Sequence, residues 1–419
     1  MKKQLFTTLI IICFSFISFG QELNKFINSY FDQTLGNNVG GYSYVIYKDG
    51  KLVADGGNGI AIPNSEHPVI MSSDTRMQIA SCSKTITAIA LLKLLDKKNI
   101  SIDTTLGDLL INKFPKMSKK TKRITLKNLL NHTSGYNFGY LNTPHIESLT
   151  ALFNIDPPNL GNTYTYSNIN YGIIRYVIEY LSNTNYEKFV KENVLNLFKN
   201  TMSLSPDGTE SYTYSFPHLE SAPLNIDFTD TDNYYAAAYG WYASARELSE
   251  MGNLLLNNRL MSKELTAQML SQKLGVYNSK NTSLGNIYSH EGLWIIPGGK
   301  GIRTILLLAP EENIVSVLFI NTNIPMNMNR IMVKILEYCS LFSREVYNKY
   351  PRSEASEVYL YIEKPITVDE IRYSIFNADN NVIESKTVEA PIIIKTNHRI
   401  EYQGFKNSEP VTFKINKRF

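Results

Sequence analysis

Residues 81–95 read SCSKTITAIALLKLL, and no other stretch of the chain carries a stronger structural signal. On a helix drawn from Ser81 to about Lys97, apolar side chains occupy nearly every side. A helix that is apolar all round is typical of a protein core rather than a surface. Because positions three apart share one face of a helix, the pattern predicts that Ser81 and Lys84 are neighbours at the start of a buried helix.

The composition is that of an ordinary globular protein, with 43% hydrophobic and 19% charged residues among 419. This length allows a large core and leaves one or two domains open. The formal net charge is +4, and Lys2 and Lys3 account for two of those charges. A balance so close to neutral gives no reason to expect nucleic-acid binding.

The first twenty residues predict a secretory signal peptide. Lys2 and Lys3 form a basic start, an apolar run continues from Leu5 to Phe19, and the chain turns polar after Gly20. The apolar run is shorter than the ~20 residues of a membrane-spanning helix, although an uncleaved anchor is the alternative. We therefore expect an exported protein, cleaved near Gly20, periplasmic or secreted, with no membrane span in the mature chain.

Beyond that segment the chain keeps two cysteines, Cys82 and Cys339. Two cysteines do not make a disulfide framework, and no His/Cys cluster has the spacing of metal ligands. Cys82 adjoins Ser81, but no partner residue supports it as a nucleophile, so we interpret it as a small packed residue. No metal and no other cofactor is expected.

The order of the predicted elements indicates strands first, helices in the middle, and strands followed by a helix at the end. An Asp49-Gly50 turn between two apolar runs predicts a hairpin near the start. The other predicted elements are helices at 124–130 and 239–257, strands at 288–297, 302–309 and 314–321, and a helix at about 328–347.

This order predicts an α/β (α+β) fold, in which a mixed antiparallel sheet is flanked by helices and holds a mostly helical insertion. After Pro351 the chain shifts to short β-rich runs, which predict a small C-terminal β domain; the runs are 358–362, 372–376, 391–395 and 411–415. The predicted organisation is a signal peptide at 1–20, a main domain at 21–350 and an accessory domain at 351–419.

Ser81 and Lys84 favour nucleophilic catalysis. Serine is a poor nucleophile without a nearby base, and a buried lysine is driven toward its neutral, basic form. At a helix start, Ser81 also has free backbone N–H groups and the helix dipole close by, which stabilise an oxyanion. The Ser-x-x-Lys spacing occurs once in the chain. The alternative is that Ser81 is a helix N-cap and Lys84 a solvated surface lysine.

Three further segments accompany this turn. Tyr166-Ser167-Asn168 precedes a helical run, His290-Glu291-Gly292 begins a strand pair, and His132-Thr133-Ser134-Gly135 follows an apolar helix. With Ser81-Cys82-Ser83-Lys84, this set resembles the serine β-lactamase and penicillin-binding superfamily over about residues 25–345. The resemblance is to the branch that contains class C β-lactamases, D-Ala-D-Ala carboxypeptidases, D-aminopeptidases and related esterases.

The resemblance implies a catalytic role for three residues. Ser81 is expected to attack the substrate carbonyl, while Lys84 and Tyr166 share the proton transfers. A cationic neighbourhood is expected to lower the pKa of Tyr166 and make its phenolate accessible.

It also implies substrate-binding roles. Asn168 is expected to hold Lys84 and the substrate amide. The backbone N–H groups of Ser81 and Leu293 are expected to form an oxyanion hole, beside Gly292 and with His290 lining the site at the strand edge.

Two of these assignments have alternatives. Tyr140-Leu141-Asn142 is a second Tyr-x-Asn, and we favour Tyr166 because a helix follows it. His290 has the alternative of a hydrogen-bonded strand histidine without a role in binding. His132 is interpreted as structural, holding a loop by side-chain hydrogen bonds.

The third motif bears on the substrate, because the chain contains no Lys-Thr-Gly or Lys-Ser-Gly. β-Lactamases use that lysine to hold the substrate carboxylate, and a histidine supplies a less certain charge near neutral pH. The sequence therefore favours a D-amino-acid peptidase, a carboxypeptidase or an esterase over a β-lactamase, each acting on a small molecule or peptide through an acyl-enzyme on Ser81. From another class, the alternative is a non-catalytic cell-wall or glycan binder on the same fold.

Overall fold

The structure is a computed structural model of the chain. It describes residues 24, 27–32, 34–35, 38–64, 66–136, 146–161, 163–230, 235–282, 284–342, 357–360, 370–387, 392–395, 399–406 and 409–418. Several sequence predictions lie outside the described residues: the signal peptide at 1–20, Tyr140, the end of the last helix at 343–347, the domain boundary at 351, and positions 361–362 and 391 of the predicted C-terminal strands.

The strands of the main sheet and its neighbours are β1 Gly41–Lys48, β2 Lys51–Ile62, β3 Val69–Ile70, β4 Arg76–Gln78, β5 Thr213–Ser215, β6 Ser221–Ala222, β7 Tyr242–Ser244, β8 Tyr277–Thr282, β9 Gly285–Ile295, β10 Lys300–Ala309 and β11 Ile314–Ile320. The helices are α1 Ser83–Lys98, α2 Leu106–Leu110, α3 Leu126–Leu130, α4 Ile146–Phe153, α5 Asn168–Ser182, α6 Tyr186–Asn193, α7 Ala236–Tyr239, α8 Ala245–Leu256, α9 Lys263–Ser271 and α10 Met328–Phe342.

The main sheet joins the first strands of the chain to strands far along it. Its order is β3-β2-β1-β11-β10, and β10 pairs with β9 along its length and with β5 at its start. All of these pairings are antiparallel; in the centre, Val45 on β1 lies opposite Val317 on β11. The predicted sheet, built from both ends of the domain around a helical middle, is confirmed.

Helix α1 is the buried helix that residues 81–95 predict. Every residue from Ser83 to Leu92 is buried. Its polar side chains find hydrogen-bond partners inside the core: Thr87 Oγ1 donates to the Ala237 carbonyl at 2.6 Å, and Thr85 Oγ1 donates to the Gly275 carbonyl at 2.8 Å. Satisfied in this way, the helix is fixed on several sides, because a buried polar group without a partner is costly.

The predicted helix at 239–257 is wrong as a single element. Helix α7 ends at Tyr239, strand β7 intervenes and pairs with β4, and α8 begins at Ala245. At Gly240 a Cβ would lie 2.7 Å from the Ala236 Cα, so this close turn requires glycine. A capping box between Ser244 and Glu247 then starts the new helix.

The C-terminal strands are β12 Glu357–Leu360, β13 Glu370–Phe376, β14 Val382–Thr387, β15 Ile392–Lys395, β16 Arg399–Lys406 and β17 Glu409–Arg418. They form a sheet of order β14-β13-β16-β17 and a separate β12-β15 pair. The sequence pattern missed β14 and β16; β14 is exposed along most of its length and has no apolar face.

Contacts divide the chain into two compact units, one of 37–280 with 286–329, and one that includes 330–419. All of the residues proposed for the site belong to the first unit. The accessory domain at 351–419 stays a prediction.

We expect the Ser244 cap to stabilise the main unit more than a comparable exposed cap does. Ser244 Oγ accepts from the Glu247 N–H at 3.2 Å, and the buried Glu247 carboxylate accepts from the Ser244 N–H at 2.8 Å. Ser262 caps α9 at an exposed position through a single bond from the Leu265 N–H. In urea unfolding, Ser244→Ala should cost ~1–2 kcal/mol and Ser262→Ala about half as much. Equal losses would contradict this account of the two caps.

Candidate active site

Ser81 lies on a 3-10 turn, Ala80–Cys82, immediately before α1. The N-cap position of α1 is Cys82, so the alternative of Ser81 as the helix N-cap does not hold. Ala80 has a left-handed φ of 47°, a conformation that costs about 1–2 kcal/mol for a residue with a Cβ. The strain is sustained because the Ala80 N–H donates to Gln78 Oε1 at 2.6 Å and the Ile79 N–H donates to the Trp241 carbonyl at 3.0 Å.

Lys84 is completely buried, with its Nζ at the meeting point of three oxygens. The Nζ lies 3.0 Å from Ser81 Oγ, 2.8 Å from Asn168 Oδ1 and 2.8 Å from the Ala238 carbonyl oxygen. Burial holds the pKa of Lys84 well below its usual range. The alternative of a solvated surface lysine is therefore wrong.

The partners of Lys84 suit a neutral amine. A neutral amine has two N–H groups and one lone pair. The carbonyl of Ala238 and the Oδ1 of Asn168 can only accept, so they take the two N–H groups. In the neutral amine the lone pair is left for Ser81 Oγ, 3.0 Å away, because this hydroxyl can donate as well as accept. This is the arrangement that a general base requires.

Tyr166 completes the contacts of Ser81, because its hydroxyl donates to Ser81 Oγ at 2.7 Å. Its ring lies 4.9 Å from Lys84 Nζ. Desolvation raises the pKa of Tyr166, although 43% of the residue is exposed, and the hydrogen bond to Ser81 acts in the opposite direction. The expected lowering of this pKa therefore does not occur.

The Tyr-x-Asn spacing brings two side chains to one place. Ser167 between them is extended, with φ −151° and ψ 127°, and in an extended segment alternate side chains point the same way. Tyr166 and Asn168 therefore both reach the Ser81–Lys84 pair. The Ser167 N–H donates to His132 Nδ1 at 3.1 Å, which holds this segment in place. That contact is the structural role interpreted for His132.

Gly292 allows β9 to approach the Ser81 turn. A Cβ on Gly292 would lie 2.2 Å from Thr304 Oγ1 and 2.6 Å from the Ile79 carbonyl oxygen, which is too close for any other residue. Thr304 Oγ1 donates to that same carbonyl at 2.8 Å and ties β10 to the turn. Leu293 follows Gly292, with 46% of the residue exposed.

His290 lies apart from the Ser81 contacts. Only 2% of the residue is exposed, and its Nδ1–H donates to the Gly275 carbonyl at 3.1 Å. Burial, with a smaller effect of Lys84, lowers the pKa of His290 to about 3, so the ring is neutral at neutral pH. Its Nε2 has no hydrogen-bond partner among the described residues.

Cys82 is packed behind the nucleophile. Its Sγ contacts the His290 carbonyl oxygen at 3.2 Å and Thr304 Oγ1 at 3.4 Å. Burial raises the pKa of the Cys82 thiol to about 12, which keeps it protonated and unreactive.

The structure thus joins Ser81, Lys84, Tyr166 and Asn168 by direct hydrogen bonds, sets Gly292 against the Ser81 turn, and keeps His290 out of that network. Sequence reasoning missed the Ala238 carbonyl as a partner of Lys84, since a backbone oxygen carries no residue signature. It also missed the Gln78 and Thr304 contacts, for which nothing in the local sequence is diagnostic.

Within the described ranges, no group of His, Cys, Asp and Glu is arranged to hold a metal ion. In the same part of the chain, no helix is both long and apolar enough to cross a membrane.

The beta-lactamase family model matches residues 27–335, and the chain therefore belongs to this family. Among curated proteins it is 24% identical to Protein flp of Staphylococcus aureus over 308 residues, which are 68% of this chain and 60% of that protein. The chain thus spans less than two thirds of the length of that relative.

Two solved structures share the fold. A beta-lactamase from Sulfitobacter sp. EE-36 has a TM-score of 0.62 at 16% identity, covering 77% of this chain and 99% of that one. The D-amino acid amidase from Ochrobactrum anthropi SV3, complexed with L-phenylalanine, has a TM-score of 0.61 at 17% identity, with coverage of 77% and 99%. The predicted resemblance and the predicted fold class are both confirmed.

We expect Gly292→Ala to slow the reaction of Ser81 with a fluorophosphonate about 100-fold, because the added Cβ moves β9 away from the Ser81 turn. Gly299→Ala is the control: nothing lies within 4 Å of an added Cβ, and the strain from its left-handed φ of 75° is confined to the turn between β9 and β10. That control should react at close to the wild-type rate. A wild-type rate in Gly292→Ala would show that this close approach does not position Ser81.

We also expect His290 to make stability depend on pH. Its pKa is about 3 in the folded chain and about 6.5 when unfolded, so between these values the unfolded chain binds the extra proton. The free energy of unfolding should therefore fall as the pH drops below about 6.5, by up to ~1.4 kcal/mol per pH unit from this residue.

His290→Asn keeps an N–H donor near the Gly275 carbonyl but cannot take up a proton, so this part of the pH dependence should disappear. Urea unfolding at pH 7, 6 and 5 measures it, with His218→Asn, at an exposed position, as the control. Equal slopes for the wild type and His290→Asn would contradict the assignment.

Proposed function

We propose that the protein is a serine hydrolase that works through an acyl-enzyme on Ser81. One observation carries the proposal. Ser81 Oγ is hydrogen-bonded to two groups that can transfer protons, Lys84 Nζ at 3.0 Å and the Tyr166 hydroxyl at 2.7 Å. Membership of the beta-lactamase family supports it.

Acylation follows from these contacts. Ser81 Oγ attacks the substrate carbonyl carbon as its proton passes to Lys84 Nζ. The carbonyl oxygen becomes an oxyanion, for which we assign the backbone N–H groups of Ser81 and Leu293. The carbonyl carbon then loses its bond to the leaving nitrogen or oxygen, which takes a proton from the Tyr166 hydroxyl. Tyr166 recovers that proton from Lys84.

Deacylation reverses the same transfers. A water molecule attacks the ester carbonyl and gives its proton to the pair formed by Lys84 and Tyr166. The ester bond to Ser81 Oγ breaks, and Oγ takes a proton back. The acid is released, and Lys84 is neutral again. The same residues act as general acids and bases in both halves of the reaction.

For the substrate we propose a D-amino-acid peptide or amide, or an ester. Two observations favour these over a β-lactam: the chain has no Lys-Thr-Gly, and the histidine at the third motif is buried and uncharged at neutral pH. We also propose export, from the basic start and apolar run at 1–20, and an accessory role for 351–419.

The acyl-enzyme is tested by intact-mass measurement after treatment with a fluorophosphonate and, separately, with a penicillin. We expect one fluorophosphonate adduct on the wild type and none on Ser81→Ala. Absence of an adduct on the wild type, or an adduct that survives Ser81→Ala, would overturn the nucleophile.

The proton-transfer roles are tested by turnover of a chromogenic ester. Lys84→Met and Tyr166→Phe should each lower kcat by ~10²–10⁴-fold, since each removes one step of proton transfer. Lys93→Met, on the same helix but outside these contacts, should retain turnover. A non-catalytic binder on this fold would show no Ser81-dependent turnover in any of these proteins.

A further inference from the structure

Two buried histidines, His132 and His290, each have one ring nitrogen without a hydrogen-bond partner among the described residues. In both rings that nitrogen is Nε2. A buried polar atom without a partner is costly, and most such atoms in folded proteins bond to protein groups or to ordered water. These two nitrogens therefore require a partner that the described side chains do not supply.

The tautomer of each ring follows from the contacts of its other nitrogen. The Ser167 N–H and the Asn170 Nδ2–H both donate to His132 Nδ1, at 3.1 and 3.0 Å, so the proton of this ring is on Nε2. The Gly275 carbonyl near His290 Nδ1 can only accept, so in that ring the proton is on Nδ1 and Nε2 is an acceptor. Of the two nitrogens without a partner, one is therefore a donor and the other an acceptor.

The backbone brings these two rings into the same part of the core. The Gly275 N–H donates to the Leu130 carbonyl at 3.4 Å; His132 follows Leu130 by two residues, and His290 is bonded to the Gly275 carbonyl. Both rings pack on Tyr277, at centroid distances of 5.3 Å for His132 and 4.4 Å for His290. The donor and the acceptor are thus near each other without being bonded to each other.

We propose that an internal water bridge, of one or two molecules, joins His132 Nε2–H to His290 Nε2. Water both donates and accepts, so it satisfies the two nitrogens together, and buried waters typically serve polar groups of this kind. A metal ion does not fit the same place, because His132 Nε2 carries a proton.

The bridge gives the two histidines a role as positioning residues. His132 holds the Ser167 N–H, and with it the segment from which Tyr166 donates to Ser81. His290 lies on β9, the strand that carries the assigned oxyanion donor. The bridge therefore connects the proton-transfer side of the site to the oxyanion side. This positioning role rests on the proposed function, whereas the bridge itself does not.

NMR of the full chain labelled with ¹⁵N-histidine tests the bridge directly. At neutral pH we expect the Nε2–H tautomer for His132 and the Nδ1–H tautomer for His290. The His132 Nε2–H proton should show cross-relaxation with a long-lived water molecule. Signals are assigned by their loss in His132→Asn and His290→Asn. The opposite tautomer in either ring, or a His132 Nε2–H proton without a water contact, would overturn the bridge.

The same two variants each remove one end of the bridge and keep the other contact of the ring. In His132→Asn, Oδ1 can still accept from the Ser167 N–H, and asparagine tolerates the left-handed φ of 58° at this position. In His290→Asn, the side-chain amide can still donate to the Gly275 carbonyl.

With a chromogenic ester, each variant should lower kcat about 10-fold and change KM little, because a small displacement of catalytic groups slows the reaction strongly. The double variant should be no slower than the slower single variant, since both changes remove one bridge. His218→Asn, at an exposed position, is the control and should keep the wild-type kcat. Losses that multiply in the double variant would overturn the bridge, and an unchanged kcat in both single variants would overturn the positioning role.

A failure of the proposed function has a different signature, which is no Ser81-dependent turnover in any of these proteins. The NMR measurement still decides on the bridge in that event, and urea unfolding then replaces kcat in the comparison of single and double variants. The double variant should lose no more stability than the less stable single variant. Additive losses would count against the bridge.

Discussion

The buried amine of Lys84 is the interaction on which the rest of the site depends. A charged ammonium in this position would face a large desolvation cost, and a neutral amine without partners would leave polar atoms unsatisfied. Burial favours the neutral amine, and the Asn168 side chain and the Ala238 carbonyl accept its N–H groups. These contacts need three elements in position: helix α1, the start of α5 and helix α7. The hydrogen bonds of one lysine therefore connect all three.

Much of this site could be predicted because its residues lie at short, regular spacings. Ser81 and Lys84 are neighbours on any helix, and Tyr166 and Asn168 point the same way across an extended residue. The sheet could also be predicted from the sequence, since Asp49-Gly50 marks its first hairpin and the later strands are continuous apolar runs.

What could not be predicted depends on long-range packing. The pKa of Tyr166 was expected to fall beside a cation, but desolvation of its own hydroxyl raises it, and burial lowers the pKa of the neighbouring Lys84. The break between α7 and α8 follows from Gly240 packing closely against Ala236, in a segment whose apolar pattern continues. Strand β14 has no apolar face to reveal it. In each case burial or a close contact decides the outcome, and neither can be read from neighbouring residues.

The position of Cys82 bears on the export proposed for this protein. An exported enzyme meets oxidants and other thiols, and a reactive cysteine next to its nucleophile would be open to mixed disulfides that block the site. The Cys82 sulfur is instead enclosed by the His290 backbone and Thr304, and it remains a thiol. The side chain therefore fills space behind Ser81 without making the enzyme sensitive to the redox state of its surroundings.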